Sequence, residues 1–435
     1  TPNLDALRAY GLALRASAIG DSKNENELLQ HALELDPGFA AAYLRLAGNV
    51  LPWDKAQAFA YFSKAYEHKD RLGPRDQLYI EAWRAMFGDP SEAIEKWHLL
   101  AEMYPDFMAG QENMGVLLWQ KENRFAQAVA PLKQVAASKH PLHVMAYDLL
   151  GHVYLGMNDY QASLKAYDSA QRLGLQTLDY GVAGTYIAMR NYDEAERVLS
   201  NFKKPADANF ALNRWTWQAV LAADQGHLQQ ALAVLEEGRK EAIQRKAENF
   251  ALKFQAMALS LQVAMSPDTG LPADLRDFQK SLAEKLPSAP KHEQAQIAEL
   301  LVFVAYLDGR IGKSKQAQLA LDASSPYTDP TDPVSASLRS LAKAELLDPS
   351  EANALLSPLS QGDELCQVHS ALLRIAKRQK DAEGIRKQAQ WLAANRGRAL
   401  AEWNDGYLLG PLNLVDADEA VVEQAKSPSA PSGIR

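Results

Sequence analysis

This chain of 435 residues has a single cysteine, Cys366. One thiol excludes an intramolecular disulfide and any metal site built from several cysteines. Acidic residues outnumber basic ones, 54 to 46, which gives a net charge of −8. Because no overall positive field attracts the chain to phosphate-rich polymers, we expect no nucleic-acid partner.

Long apolar runs and two-residue alternation are also missing. No apolar stretch is long enough to cross a bilayer, so we expect no direct membrane insertion by this chain. The opening TPNLDALRAY has no initiator methionine and no signal-peptide pattern, so we expect a mature fragment or an excised region. The lack of period-two alternation predicts essentially no β-sheet.

The chain instead has a recurring pattern of small and large apolar residues. In GMNDYQASLKAYDSA, a polar turn is followed by Ser163, Tyr167 and Ala170, at spacings of four and three. The helix-like stretch before this turn has a small residue at Gly151, and the next two units have Ala183 and Ala219 at the equivalent place. Two helices that cross closely require such small residues flanked by large apolar ones.

These features, about 34 residues apart, resemble the tetratricopeptide repeat (TPR). The stretch YDLLGHVYLGMNDYQASLKAYDSA matches the repeat almost position for position. The resemblance implies an all-α fold, an α-solenoid of TPR-like helix pairs that form a right-handed superhelix. A stack of this kind exposes a long concave groove, which is the default binding surface.

Proline, glycine and serine divide the array unevenly, with the densest clusters in SPDTGLPADL and LPSAPKHE. Whether the arrays on either side of these clusters form one continuous superhelix stays open. In the tail we expect residues 407–414 to pack on the last helix and the final ten residues to be disordered. We predict an N-terminal TPR array over 1–247, an irregular helical joint over 248–292, C-terminal TPR-like helix pairs over 293–397 and a tail over 398–435.

Several phrases in the first half resemble a narrower group: NLDALRAYGLALRA, HALELDPGFAAAYLRLA, LYIEAWRAMFGD, KWHLLAEMYPDF and NRFAQAV. They are similar to the C-terminal extracytoplasmic TPR region of bacterial putative peptide modification system cyclases and related membrane-anchored regulators. The second half of the chain matches only loosely. The resemblance implies a sensing or docking region in the periplasm, with the cytoplasm as the alternative location.

Two motifs suggest chemistry that their context does not support. GRIGKSK, residues 309–315, lacks the glycine that a phosphate loop needs at Leu307 and follows a helical pattern, so we predict a helix–helix turn. Cys366 and His369 are three residues apart and could form a thiolate–imidazole pair. A small buried cysteine on an apolar helix face is the favoured interpretation. We therefore predict that the chain is not an enzyme.

Histidines and basic residues cluster in two other places. His140, His143 and His152 lie close in sequence, but no acidic ligand has the right phase for zinc. We expect no metal and no cofactor. RIAKRQKDAEGIRK, residues 374–387, interleaves acids with bases, which favours a solvated helix face over a contact with an anionic partner or lipid.

The groove-facing positions of the three best repeats are the candidate binding residues. They are Asp148, His152, Tyr180, Asn213 and Thr216. This set lacks the Lys, Arg and Asn clamp that some TPR proteins use for C-terminal carboxylates. A neutral groove of this kind suits a peptide with apolar side chains or a basic residue. The alternative is that these positions are simply solvated.

The sequence therefore predicts a non-catalytic scaffold with a protein or peptide ligand, the sensing or docking region of a bacterial signalling protein. A regulatory receptor for a small ligand or signal peptide, which changes the superhelix curvature, is the alternative, and an enzyme is the third. The identity of the partner and the oligomeric state stay open.

Overall fold

A computed structural model describes most of the chain, namely residues 1–18, 21–50, 55–86, 90–120, 122–140, 143–175, 179–201, 210–265, 273–289, 291–328, 333–360, 365–402 and 413. These residues form twenty-three α-helices and five short 3-10 helices, and they contain no strand. The prediction of an all-α chain of TPR-like helix pairs is confirmed.

The chain divides into two compact units. The first comprises Thr1–Met114 and Ala137–Leu142, and the second comprises Gly115–Ala136 and His143–Arg435. The helices of the first unit are α1 (Leu4–Ala18), α2 (Ser22–Leu35), α3 (Ala40–Val50), α4 (Lys55–Glu67), α5 (Pro74–Met86) and α6 (Pro90–Met103), together with the start of α7 (Met108–Gln120).

The second unit contains the end of α7 and all later helices. In the TPR-like part these are α8 (Phe125–Ala136), α9 (His143–Gly156), α10 (Tyr160–Arg172), α11 (Asp179–Ala188), α12 (Tyr192–Ser200), α13 (Asn213–Asp224) and α14 (Leu228–Gln244). The later helices are α15 (Glu248–Met265), α16 (Ala273–Lys285), α17 (Lys291–Arg310), α18 (Ser314–Ser324), α19 (Pro333–Ala344), α20 (Pro349–Leu356), α21 (Cys366–Gln379), α22 (Ala382–Ala394) and α23 (Arg396–Ala401).

Several tight turns between paired helices contain a residue in the left-handed backbone region. Asn158, between α9 and α10, has φ of 61°, and Gly226, between α13 and α14, has φ of 80°. Asparagine and glycine adopt this region more easily than other residues. Asp159 then caps α10, because its Oδ1 accepts from the Ala162 backbone N–H at 3.0 Å. The polar turns in the sequence therefore close the helix pairs.

The small residues at the predicted crossing points allow the helices to touch. A Cβ placed on Gly151 of α9 would lie 2.4 Å from the Tyr167 ring of α10, so the ring lies directly against the backbone. Tyr167 is 1% exposed, and Ala183 and Ala219 are fully buried. Ser163 adds a hydrogen bond from its hydroxyl to the Gly151 carbonyl at 2.8 Å.

The largest apolar core of the second unit continues through the predicted joint. Residues 248–265 and 273–285 form α15 and α16, and Phe254 and Phe278 of these helices lie in the same core as Phe303 of α17. The predicted domain boundaries stay predictions. The packing and disorder predicted for the tail beyond residue 402 lie outside the described residues, apart from Asn413, which is buried.

Candidate functional site

Arg396–Glu402, which we call the cis segment, lies against the carboxyl ends of four helices of the second unit. These helices, α7, α9, α11 and α13, are the first helices of their pairs. Their contacting residues form what we call the A-helix surface: Trp119, Asn123, Leu155, Asn158, Ile187, Ala188 and Asp224.

Arg396 opens the cis segment with a buried ion pair. Its guanidinium donates to both carboxylate oxygens of Asp224, the last residue of α13, whose side chain is 0% exposed. It also donates to the Ala188 carbonyl at 3.2 Å and lies 3.5 Å from that of Ile187, both at the end of α11. The arginine therefore joins the ends of two successive repeats.

Gly397 follows at a place where the two backbones nearly touch. Its N–H donates to Asn158 Oδ1 at 2.8 Å. A Cβ at this position would lie 2.1 Å from the Leu155 carbonyl oxygen and 3.0 Å from Asn158 Oδ1. Because the nearest obstacle is backbone, no other residue can take this position without moving the segment.

Arg398 makes the next contact, with the turn after α7. Its guanidinium donates to the Asn123 carbonyl at 3.1 Å and lies over the Phe125 ring, 5.0 Å from its centroid. Cation–π contacts of this kind favour arginine over neutral side chains. The second arginine is thus held by a carbonyl and an aromatic face.

The end of the cis segment is bound through its backbone and its final carboxylate. Trp119 Nε1 donates to the Ala401 carbonyl at 2.9 Å. Glu402 Oε1 accepts from Asn123 Nδ2 at 3.2 Å and from the Cys366 backbone N–H at 2.9 Å. Burial raises the pKa of Glu402. Each repeat from α7 to α13 therefore contributes polar contacts to one short segment.

The sequence-predicted residues Asp148, His152, Tyr180, Asn213 and Thr216 lie on the same helices, at varied depths. Tyr180 is 6% exposed and belongs to an apolar cluster that also contains Ala399 of the cis segment. Thr216 is 5% exposed, and Asn213 is half-buried at the start of α13. Their part in binding stays a prediction.

Asp148 and His152 form a pair on α9 whose side chains are each 21% exposed. His152 Nε2 lies 4.0 Å from Asp148 Oδ1, and the His152 ring stacks on Trp119 with centroids 5.1 Å apart. Burial raises the pKa of Asp148 to about 7 and lowers the pKa of His152 to about 4. At neutral pH the imidazole is therefore uncharged and the carboxyl is partly protonated.

The residues that hold the cis segment were not predicted from sequence. Asn158 was visible in its polar turn, but only as a turn residue. Arg396 and Asp224 are 172 positions apart, and Trp119 and Ala401 are 282 apart. Nothing in the local pattern around either arginine indicates a carboxylate so distant along the chain.

The residues Cys366 and His369, which suggested a thiolate–imidazole pair, are buried in the second unit. Cys366 is 1% exposed, and the His369 Nδ1 atom lies 2.7 Å from Gln388 Oε1 while its ring stacks on Trp391. Within the ranges that the structure describes, no three His, Cys, Asp or Glu side chains are grouped as metal ligands would be. Of the helices described above, none has both the length and the apolar composition needed to cross a membrane.

A cavity of about 430 Å³ lies where α13 meets α14. Its central carboxylate, Glu241, accepts from Arg214 at 2.6 Å, from Trp215 Nε1 at 2.7 Å and from Arg245 at 2.6 Å. This carboxylate is therefore already satisfied within the protein. The cavity supports no ligand proposal.

The stretch GRIGKSK is a helix–helix turn, as predicted. Gly312 has φ of 73°, and the Lys313 N–H donates to the Asp308 carbonyl at 2.8 Å between α17 and α18. The Asp308 side chain is buried, and neither carboxylate oxygen has a hydrogen-bond partner among the described residues. Burial raises the pKa of Asp308 to about 7.

Asp308→Asn is expected to stabilise the fold at high pH by about 1–3 kcal/mol, because a buried carboxylate without hydrogen-bond partners costs more than a neutral amide at the same place. The folded state holds the Asp308 proton up to about pH 7, whereas a free aspartate has a pKa of 3.8. Asp308 therefore reduces stability progressively as pH rises through this window. Asparagine does not ionise, so its advantage should be small at pH 4.5 and largest above pH 7.

Urea unfolding of both chains at pH 4.5 and pH 8 measures this difference. Asp277→Asn on α16 is the matched control, because Asp277 is exposed. An advantage of Asp308→Asn that is equal at both pH values would contradict the raised pKa.

Comparison with known proteins gives likenesses of fold only. No protein-family model matches the chain, and no curated protein matches it. The TPR domain of P58(IPK) is 13% identical, with 97% of this chain and 100% of that chain covered and a TM-score of 0.22. Yeast Tom70 is 14% identical, with 98% and 97% covered and a TM-score of 0.29.

A third solved structure, Naa15/Naa10 bound to HypK-THB, is 13% identical, with 98% of this chain and 69% of that chain covered and a TM-score of 0.20. At these TM-scores the fold assignment rests on the helix pairs described above. Their turns and their buried small residues are those expected of TPR-like repeats.

Proposed function

We propose that the protein is a non-catalytic scaffold that binds a protein or peptide segment on the A-helix surface. The observation that supports this function is the cis segment itself. This surface holds a short piece of polypeptide through contacts from four successive helix ends. A surface that binds one short helical segment, α23 and the residue after it, in this way has the donors and acceptors to bind another.

The chemistry of the surface also favours peptide recognition. Asn158 and Trp119 bind the backbone of the segment, while Asp224 binds a side chain. Backbone contacts supply affinity for any peptide, and side-chain contacts select among peptides. Repeats stacked along one axis suit a ligand that runs past several of them.

The finer proposal is that this scaffold is the sensing or docking region of a bacterial signalling protein in the periplasm. Its support is the similarity of the phrases from NLDALRAYGLALRA to NRFAQAV to membrane-anchored bacterial regulators. The negative net charge supports a protein ligand over a nucleic acid.

Selection from a displayed library of random peptides tests the function. The intact chain and a Gly397→Ala variant, in which the cis segment cannot seat, serve as baits. Selected peptides should bind at least about ten-fold more weakly when Trp119→Phe and Asn158→Gly are added to the Gly397→Ala chain, as the loss of the two backbone-binding hydrogen bonds implies. Glu196→Gln is the control, because Glu196 is exposed on α12, a second helix of its pair.

Two outcomes would count against the function. If neither bait selects any peptide, the surface is not a peptide site. If the selected peptides bind the Trp119→Phe and Asn158→Gly variant as tightly as they bind the control, binding occurs elsewhere on the chain.

A further inference from the structure

Building on the proposed function, we propose that the A-helix surface selects an arginine-bearing peptide and that residues 396–402 occupy the site in cis. A partner protein that presents the same Arg-Gly-Arg chemistry binds in place of the segment. The cis segment is then both a model of the ligand and the element that controls access to it.

Selectivity for arginine comes first from the ends of α11 and α13. The last carbonyls of a helix have no partner within the helix and carry a partial negative charge. Ile187 and Ala188 present two such carbonyls, and Asp224 adds a full carboxylate beside them. A planar guanidinium with five donors can serve all three groups at once, whereas the ammonium of lysine is a compact point charge.

Arg398, two residues after Arg396, also donates to a backbone carbonyl at the end of a helix. The Asn123 carbonyl, in the turn after α7, accepts from Arg398, and the Phe125 ring lies beneath the guanidinium. Asn123 holds this carbonyl in place because it adopts φ of 58° in the turn. Arg396 and Arg398 are separated by one residue. Arg396 binds at the ends of α11 and α13, and Arg398 binds at the end of α7, so the two arginines bind helix ends on the two sides of α9.

The residue between the arginines must be glycine. The Leu155 carbonyl would lie 2.1 Å from any Cβ there, and Asn158 Oδ1 accepts the backbone N–H at 2.8 Å. The remaining positions take apolar residues and then a carboxylate, since Ala399 packs in one cluster with Tyr180 and Asn123 donates to Glu402. The surface thus specifies Arg-Gly-Arg, followed by apolar residues and an acid.

Occupation in cis gives the segment a large advantage over an external peptide. A tethered ligand acts at an effective concentration in the millimolar range, so a free peptide of equal intrinsic affinity competes poorly. Release of the segment, without any change to the A-helix surface, should therefore expose the site. Gly397→Ala should release the segment, because the added methyl group would overlap the Leu155 carbonyl oxygen, which belongs to the backbone and cannot rotate away as a side chain can.

The test uses the full chain and a fluorescent peptide of residues 395–402, NRGRALAE. We expect this peptide to bind the Gly397→Ala chain about ten-fold or more tightly than the intact chain in fluorescence anisotropy. Gly11→Ala is the matched control and should behave as the intact chain, since no described atom lies within 4 Å of a Cβ placed there. Peptides that carry Arg396→Lys or Gly397→Ala should bind the released chain at least about ten-fold more weakly.

Trypsin reports release independently, because Arg396 and Arg398 are each only 9% exposed in the intact chain. Cleavage after these arginines should be faster in Gly397→Ala than in Gly11→Ala. A released chain that does not bind NRGRALAE would overturn the proposal, and so would a folded Gly397→Ala chain that stays protected from trypsin.

If Gly397→Ala fails to fold, a hydrogen-exchange measurement on the intact chain still tests the proposal. Excess NRGRALAE should speed hydrogen exchange at the amides of residues 396–402 in an isotope-labelled chain, and unchanged exchange at saturating peptide would overturn the proposal. Failure here is distinct from failure of the proposed function. Library peptides without arginine that bind the A-helix surface would leave the function intact and remove the arginine selectivity.

Discussion

Asp224→Ala is expected to lower the free energy of unfolding by about 3–5 kcal/mol, the usual loss when one member of a buried ion pair is removed. Arg396 would keep its charge, since a guanidinium does not deprotonate in proteins. Its side chain is 11% exposed and would lose the Asp224 carboxylate. The carbonyls of Ile187 and Ala188 can bind its N–H groups, but they cannot neutralise the charge.

A double-mutant cycle measured by urea unfolding isolates this effect. Asp224→Ala combined with Arg396→Met should recover most of the lost stability, because the uncompensated charge is gone and an apolar side chain of similar length remains. Asp168→Ala is the matched control, since the pair it forms with Arg172 is 50% and 78% exposed. Exposed pairs contribute about 0–1 kcal/mol. A loss for Asp224→Ala as small as that of the control would show that the pair is not buried in solution.

The repeats could be predicted from the sequence because TPR-like packing depends on near neighbours. Gly151 and Tyr167 are sixteen positions apart, and a period of about 34 residues brings each such pair into view. Asn158 and Gly226 lie where the polar turns were expected. In a stack of this kind each interface repeats the same few positions, so one good unit identifies the rest.

The return of the cis segment could not be predicted in the same way. Its contacts with the A-helix surface join residues 172 to 282 positions apart, and no periodic pattern links them. Tyr180 illustrates the consequence. It was predicted as a groove-facing residue of its repeat, and its low exposure reflects its place in a cluster with Ala399. The repeat pattern predicts which face of its helix a residue lies on. It does not predict whether a segment distant in sequence packs against that face.

Local spacing also misleads when it suggests chemistry. Cys366 and His369 have the spacing of a helix face, yet the imidazole of His369 stacks on Trp391 and contacts Gln388 of the following helix. The aromatic partner belongs to another helix, so the sequence around Cys366 could not indicate it. Burial gives both residues a packing role.

Gly151→Leu is expected to lower the free energy of unfolding by about 3 kcal/mol, at the upper end of the cost of overpacking a core. Even a Cβ at this position would lie 2.4 Å from the Tyr167 ring, and leucine adds three further carbons. Tyr167 cannot move away easily, because a Cβ on Gly181 of α11 would also lie 2.4 Å from its hydroxyl. The ring is therefore confined by the backbones of two helices.

Gly48→Leu is the control for Gly151→Leu, because Gly48 is exposed on α3 and no described atom lies within 4 Å of a Cβ placed there. Leucine is a better helix former than glycine, so this change should leave stability unchanged or raise it slightly. Tyr167→Ala should cost less in the Gly151→Leu chain than in the intact chain, since the new side chain fills part of the space that the ring leaves. Equal unfolding free energies for Gly151→Leu and the intact chain would contradict the contact between α9 and α10, and with it the register of the repeat.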